Sequence, residues 1–240
     1  MRRLVVCAMS LFIALPLAVP VWAAGCVPIA FMADGQPLTA AVIDGPLVTG
    51  PVDAAGCDIG VYYPAGTSGT ITSADIHGAR YFGIVVDAAA VDVSSSDVHN
   101  IGDTPFDGAQ HGIGIYYVNG ASGTISSNSI YGYQKGGIVI NGEGTTATVA
   151  SNDVRGLGPV DFIAQNGIQV SRGAVADVRE NTIADNYYTG HVGVGPNPGG
   201  QNPPGWEYYS TALLLFQAGT GTHTSENHFF GNQHNKAVVP

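Results

Sequence analysis

Lys135 is one of only two lysines in this 240-residue chain, the other being Lys236. A scarce amine set among amides can take a proton or hold an anion. Three residues before Ile113, Ile138 and Ile168 stand Gln110, Lys135 and Gln165, with His111 and Asn166 one place later in two of the three. That spacing predicts a polar column. Asp103, Asp107 and Asp161 lie in the intervening stretches and offer the hard oxygens that Ca²⁺ prefers. The plainer reading of Asp103-Thr104-Pro105 and Asp107-Gly108 is turn chemistry. Tyr187, Tyr188, Trp206, Tyr208 and Tyr209 crowd a Gly/Pro-rich stretch. Such rings either stack on the C–H faces of sugars or pin a long loop to the body of the protein.

A repeat positions these groups. An apolar residue is followed five places on by another at Ile71–Ile76, Val93–Val98, Ile125–Ile130, Val149–Val154, Val178–Ile183 and, with Thr first, Thr224–Phe229. Asn stands three after the first residue at Asn128, Asn152, Asn181 and Asn227, with Ala74 and Ser96 in the earlier copies. Before each copy comes a small residue and an apolar-x-apolar phrase, as in Gly83-Ile84-Val85-Val86 and Gly137-Ile138-Val139-Ile140. Alternation at period two means a strand with one buried face. Units of this kind stack to complete a continuous core, so the pattern predicts a parallel solenoid with three short strands per turn. Residues at one position then form ladders about 4.8 Å apart. The Asn column is expected to satisfy itself and the turn backbone.

From the last apolar residue of one repeat to the Ile of the next Gly-Ile phrase, the spacing is 8, 15, 8, 14 and finally 30 residues. All long excursions leave from one corner, and insertions gathered on one side of a solenoid usually mark its working face. The short corner at 131–136 should form a valley floor between walls at Asn100–His111 and Gly156–Asn166. His77 and His99 share a position in adjacent repeats, and a solvated stack is the plainer reading than a metal site.

The ends of the chain bear on compartment. Arg2 and Arg3, an apolar run from Leu4 to Val19 and Val21-Trp22-Ala23 read as a secretory leader over residues 1–23. Residues 24–57 then form an N-terminal cap, 58–231 the solenoid and 232–240 a tail. Cys26 and Cys57 are the two cysteines beyond the leader and are expected to pair. Ala23-Ala24-Gly25-Cys26 leaves lipid anchoring at Cys26 as an alternative to free secretion. Charged residues make up 11% of the chain, under half the roughly 25% of an average protein. Without the leader the formal charge is −12. That excludes a nucleic-acid footprint. No stretch beyond the leader approaches 18 consecutive apolar residues, so no further membrane span is expected.

The Gly-Ile-x-Val and Ile-Ser-x-Asn-x-Ile phrases, over residues 58 to about 231, resemble the right-handed parallel β-helix proteins of the broad pectate-lyase-like superfamily. The resemblance implies a right-handed solenoid, which with the repeat and its spacing gives an all-β, right-handed, three-sided parallel β-helix of about six coils with long loops on one corner. It also implies a polysaccharide or glycan partner, since that superfamily contains lyases and glycoside hydrolases. Its lyases use Lys or Arg as the proton-abstracting base. On that basis Lys135 is the candidate base of a uronide β-elimination, with His111 or a tyrosine as acid and an aspartate-held Ca²⁺ as cofactor. Gln110, Gln165, Asn166, Tyr187, Tyr188, Trp206 and Tyr208 are the candidate substrate contacts. No enzyme family within the superfamily is matched residue by residue. The polygalacturonase phrases and the Tyr-Gly-x-Asp-Pro-His phrase of alginate epimerases are absent. The alternative is a non-catalytic secreted surface or adhesion scaffold.

Overall fold

The computed structural model describes residues 22–23, 25–190 and 209–240. They form β-strands without a helix. Nine strands make one sheet, in the order Val27–Ala33, Gln36–Ile43, Ile59–Tyr63, Phe82–Asp87, Ile113–Val118, Gly136–Asn141, Asn166–Ser171, Thr211–Phe216 and His234–Val239. All neighbours pair in parallel except the first two strands, which form an antiparallel hairpin. The other sheet has two runs that meet in the long strand Ser68–His77. Successive repeats therefore give one strand to the first sheet and one to each run of the second. Parallel pairing extends past residues 58–231 at both ends, through Gln36–Ile43 and Leu47–Asp53 at the start and His234–Val239 at the finish.

Between the two runs the chain turns on one residue at positive φ: Ser95, Ser127, Ser151, Glu180 and Glu226, with φ between 49° and 58°. Left-handed backbone at non-glycine residues costs roughly 1–2 kcal/mol each. The Asn column offsets that cost. The Asn152 Oδ1 accepts from Asn128 N at 3.0 Å and Asn128 Nδ2 at 2.9 Å, and Asn181 Oδ1 serves Asn152 in the same way. Asn227 does so for Asn181 at one end, and Asn128 and Ser96 carry the ladder back to the backbone of Ser96 and Ala74 at the other. Asn128, Asn152 and Asn181 are almost wholly buried.

Inward-facing Ile, Val and the large rings Tyr63, Tyr117 and Tyr133 fill one continuous core. The buried phenols are satisfied: Tyr117 donates to the Val91 carbonyl and Tyr133 to Asn186 Oδ1, both at 2.6 Å. A column of glycines, Gly60, Gly83, Gly114, Gly137 and Gly167, lets the nine-stranded sheet approach its neighbours. A Cβ at any of them would stand 2.5–2.7 Å from a carbonyl oxygen of the next strand.

This column corrects the register read from sequence. Ile115, not Ile113, pairs with Ile84 and Ile138, and Ile113 pairs with Gly136. The first copy slips likewise, with Val61 opposite Ile84. A two-residue shift preserves period-two alternation, so the hydrophobic pattern cannot detect it. The small residue that marks register is the glycine whose Cβ has no room. The residue beside Lys135 in the preceding strand's column is therefore Gly112 rather than Gln110, while Gln165 keeps its place on the other side.

Cys26 and Cys57 form a disulfide that ties the start of the hairpin to the first long rung. Phe31 from the hairpin lies over the outer face of the nine-stranded sheet, with its ring centroid 5.9 Å from Tyr62, 6.0 Å from Phe82 and 6.4 Å from Tyr116. This makes a second, smaller apolar cluster outside the main core. The expected leader lies outside the described residues, save Trp22–Ala23, which pair with Val52–Asp53.

Candidate functional site

Beside that outer cluster the sheet carries a cavity of about 370 Å³. Phe31, Met32 and Ala33 of the hairpin form one wall. The floor is built by outward-facing residues of three neighbouring strands: Phe82, Ile113, Tyr116 and Val139. Tyr116 and Phe82 stack at 5.2 Å with their planes 12° apart. Alternation sends Ile115 and Tyr117 into the core and leaves Tyr116 facing out.

Asn141, Asn166 and Gln169 complete the lining and are connected through the buried Ser171. The Asn166 amide donates to Gln169 Oε1 at 3.2 Å, Gln169 Nε2 to Ser171 Oγ at 3.1 Å, and Ser171 Oγ to Asn141 Oδ1 at 2.9 Å. Asn141 Nδ2 then donates to the Tyr116 hydroxyl at 3.0 Å. Such a chain holds amide donors and acceptors in fixed orientation at the edge of an aromatic floor.

Two cations stand at the cavity, Lys135 beside the start of the strands and Arg172 just past their end. Arg172 is exposed on a left-handed turn with φ of 53°. With Gly136 opposite Asn166, these positions are seven residues apart along the strands, or roughly 23 Å of backbone at about 3.3 Å per residue. Among the described residues, Arg80, Arg155 and Arg179 each have a carboxylate partner, whereas neither Lys135 nor Arg172 has one within 4.0 Å. The Lys135 ammonium donates to the Ala164 carbonyl at 2.8 Å. Its side chain is half-buried, and burial pushes its pKa down to about 8.

Three of the sequence-derived candidates meet here: Gln110, Lys135 and Asn166 all line the cavity. The others have different surroundings. Gln165 is fully buried; its Oε1 accepts from Leu157 N at 2.9 Å and its Nε2 donates to the Tyr133 carbonyl at 2.6 Å. It fastens the excursion between residues 157 and 165. Gln134, which sequence reasoning passed over, does the same for the preceding excursion. Its Oε1 receives Asp103 N and Asp107 N, and its Nε2 donates to the Ala109 carbonyl. Gln233 receives Ser210 N at 2.9 Å and Tyr188 N at 3.4 Å. The recurring signal was a glutamine near each long corner, whose amide can satisfy loop backbone at both ends.

His111 is buried, stacks on Tyr81 at 4.2 Å and lies 2.6 Å from Asp103 Oδ2; it is not among the cavity-lining residues. Asp103 also accepts from Arg80 Nε at 2.8 Å. Burial works to raise the Asp103 carboxyl, but its bonds to Arg80 and His111 outweigh that and hold it below the usual carboxylate range. Asp107 caps the Ala109 N–H at 2.7 Å, and Asp161 is exposed. Among the described residues no three His, Cys, Asp or Glu side chains gather to hold a metal ion. His77 and His99 stack at 5.2 Å, and His99 pairs with Asp75 at 2.9 Å. Tyr187 is exposed and Tyr188 half-buried, while Trp206 and Tyr208 lie outside the described residues.

No curated protein and no solved structure matches the chain. A family model described as the right-handed beta helix region matches residues 52–236. That span takes in the parallel strands that build the cavity floor and both of its cations, and on it the chain belongs to the right-handed β-helix family.

Proposed function

We propose that the protein is a secreted carbohydrate-binding β-helix, which holds a glycan against the outer face of its nine-stranded sheet. One observation carries the reading. In a chain of strong negative charge, the stacked Tyr116–Phe82 floor, a chain of oriented amides and two cations with no carboxylate partner among the described residues converge on one cavity. An apolar ring face suits sugar C–H groups, and fixed amides suit sugar hydroxyls. Secretion is supported by the disulfide and by the absence, among the described residues, of any helix long and apolar enough to cross a membrane.

Lys135 supports a second, catalytic reading of the same cavity. An amine with a pKa of about 8 is partly neutral near physiological pH and can take a proton from the carbon beside a carboxylate, as uronide elimination requires. Titrating the purified protein calorimetrically with neutral and acidic polysaccharides, with and without Ca²⁺, tests the binding reading. Following unsaturated-product absorbance in the same mixtures tests turnover. Saturable binding without product leaves binding alone, and product lost in Lys135→Ala establishes the base. No binding across the panel favours the scaffold reading.

A further inference from the structure

We infer that Lys135 is a nucleophilic amine that captures aldehydes within the cavity as a reversible imine, the open-chain form of a reducing sugar being the carbohydrate member of that class. Three observations meet at this residue. Lys135 lines an open cavity and is half-buried rather than sealed in the core, which leaves its side chain open to approach by a small carbonyl compound. Among the described residues its nitrogen has one acceptor, the Ala164 carbonyl at 2.8 Å, whereas an ammonium carries three donors. No carboxylate stands within 4.0 Å to stabilise its charge among the described residues, although the chain carries 18 acidic residues. An amine placed so loses part of its usual preference for the charged form, and the neutral amine is the nucleophile.

The step balances without any further reagent. The Lys135 nitrogen lone pair adds to the aldehyde carbon, the carbonyl oxygen leaves as water with both amine hydrogens, and a C=N bond remains. Hydrolysis reverses it. The lowered pKa gives the expected size of the effect. At pH 8 an amine of pKa about 8 is about half neutral, against about 0.4% for a free lysine near 10.4. Lower basicity costs nucleophilicity, with a Brønsted slope of about 0.4–0.5 for thiols. Applied to the amine, that removes about ten-fold of the gain and leaves Lys135 about ten-fold faster than a free lysine.

The test is reductive trapping. The purified protein is treated at pH 8 with limiting glycolaldehyde and cyanoborohydride, beside Nα-acetyl-lysine amide, and labelled positions are mapped by peptide mass spectrometry. We expect Lys135 to be labelled about ten-fold faster than the free amine and ahead of Lys236. Lys135→Met should lose the major label with an unchanged circular dichroism spectrum. If that variant does not fold, the wild-type site map decides alone. Label distributed equally over Lys236 and Lys135, or Lys135 slower than the free amine, overturns the inference. The two-carbon probe has no sugar ring, so the inference uses the proposed cavity but not its proposed glycan. A negative polysaccharide titration would leave the labelling result standing, and the converse holds as well.

Discussion

Replacing Lys135 by Met should stabilise the folded protein near neutral pH. The folded-state pKa of about 8 lies below the ordinary lysine value of 10.5, so folding works against the charged form. The sign follows from linkage. Below pH 8 lysine is charged in both states and the folded state bears the full cost; above 10.5 it is neutral in both and the cost is gone. A difference of 2.5 units corresponds to about 3 kcal/mol at pH 7, about 2 at pH 9 and about 1 at pH 10. The side chain keeps some contact with water through the cavity mouth, which makes these upper figures. Methionine has similar length and no charge, and its loss of the bond to the Ala164 carbonyl subtracts about 1 kcal/mol. Urea unfolding of both proteins at pH 7, 8, 9 and 10 reads the effect. The expected result is a gain of about 1–2 kcal/mol at pH 7 that shrinks steadily with rising pH, with m unchanged. A variant less stable than wild type at pH 7, or a difference that does not vary with pH, would mean that the folded protein does not disfavour the charged form of Lys135. A residue that costs stability in this way is one whose presence calls for a functional explanation.

Asn152→Ala should cost about 3–5 kcal/mol in urea unfolding. It leaves the buried Asn128 N–H and Ile125 carbonyl without their partners, at about 1–3 kcal/mol each, and removes the bond to Asn181. Asn227→Ala, at the half-buried last rung, should cost less than half as much. Gly137→Ala should destabilise by at least about 2 kcal/mol, because its Cβ would meet the Gly167 carbonyl at 2.5 Å, and thermal melts would show it. Reducing the disulfide, or the Cys26→Ser/Cys57→Ser pair, should lower stability by about 3–4 kcal/mol through the 31-residue loop it closes, again read by urea unfolding.

The repeat was legible because each strand must bury alternate residues and each turn of one residue at positive φ must be followed by the same small or amide side chain. Those demands act on neighbours in sequence, so Ile71–Ile76 and its successors announce them. The disulfide followed from compartment and from an even count of cysteines. The register of Ile113 was not legible, since a shift of two leaves its alternation intact and only the cramped glycine column distinguishes Ile113 from Ile115. The cavity was half legible. Gln110, Lys135 and Asn166 were found from the corner spacing, but Tyr116 looked like any outward residue of a repeat. Its partner Phe31 comes from an antiparallel hairpin with no repeat signature, folded back over the sheet. Arg172 was missed for the opposite reason: it sits on a turn at the far end of the strands from the long loops. Gln165 and the loop aspartates were visible as polar groups, whereas Gln134 was passed over. What pattern alone does not reveal is that Gln134 and Gln165 turn inward to hold loop backbone.

If the outer face of the nine-stranded sheet is a glycan site, isothermal titration of wild type and Tyr116→Ala will separate them. Tyr116 contributes the aromatic floor without belonging to the main core, so its loss removes the stacking surface and leaves the solenoid folded. The expected result is saturable binding of at least one polysaccharide by wild type and a weakening of about ten-fold or more in the variant, with matching circular dichroism spectra. Saturable binding that Tyr116→Ala leaves unchanged, or no binding by the folded wild-type protein across neutral and acidic glycans, would contradict it.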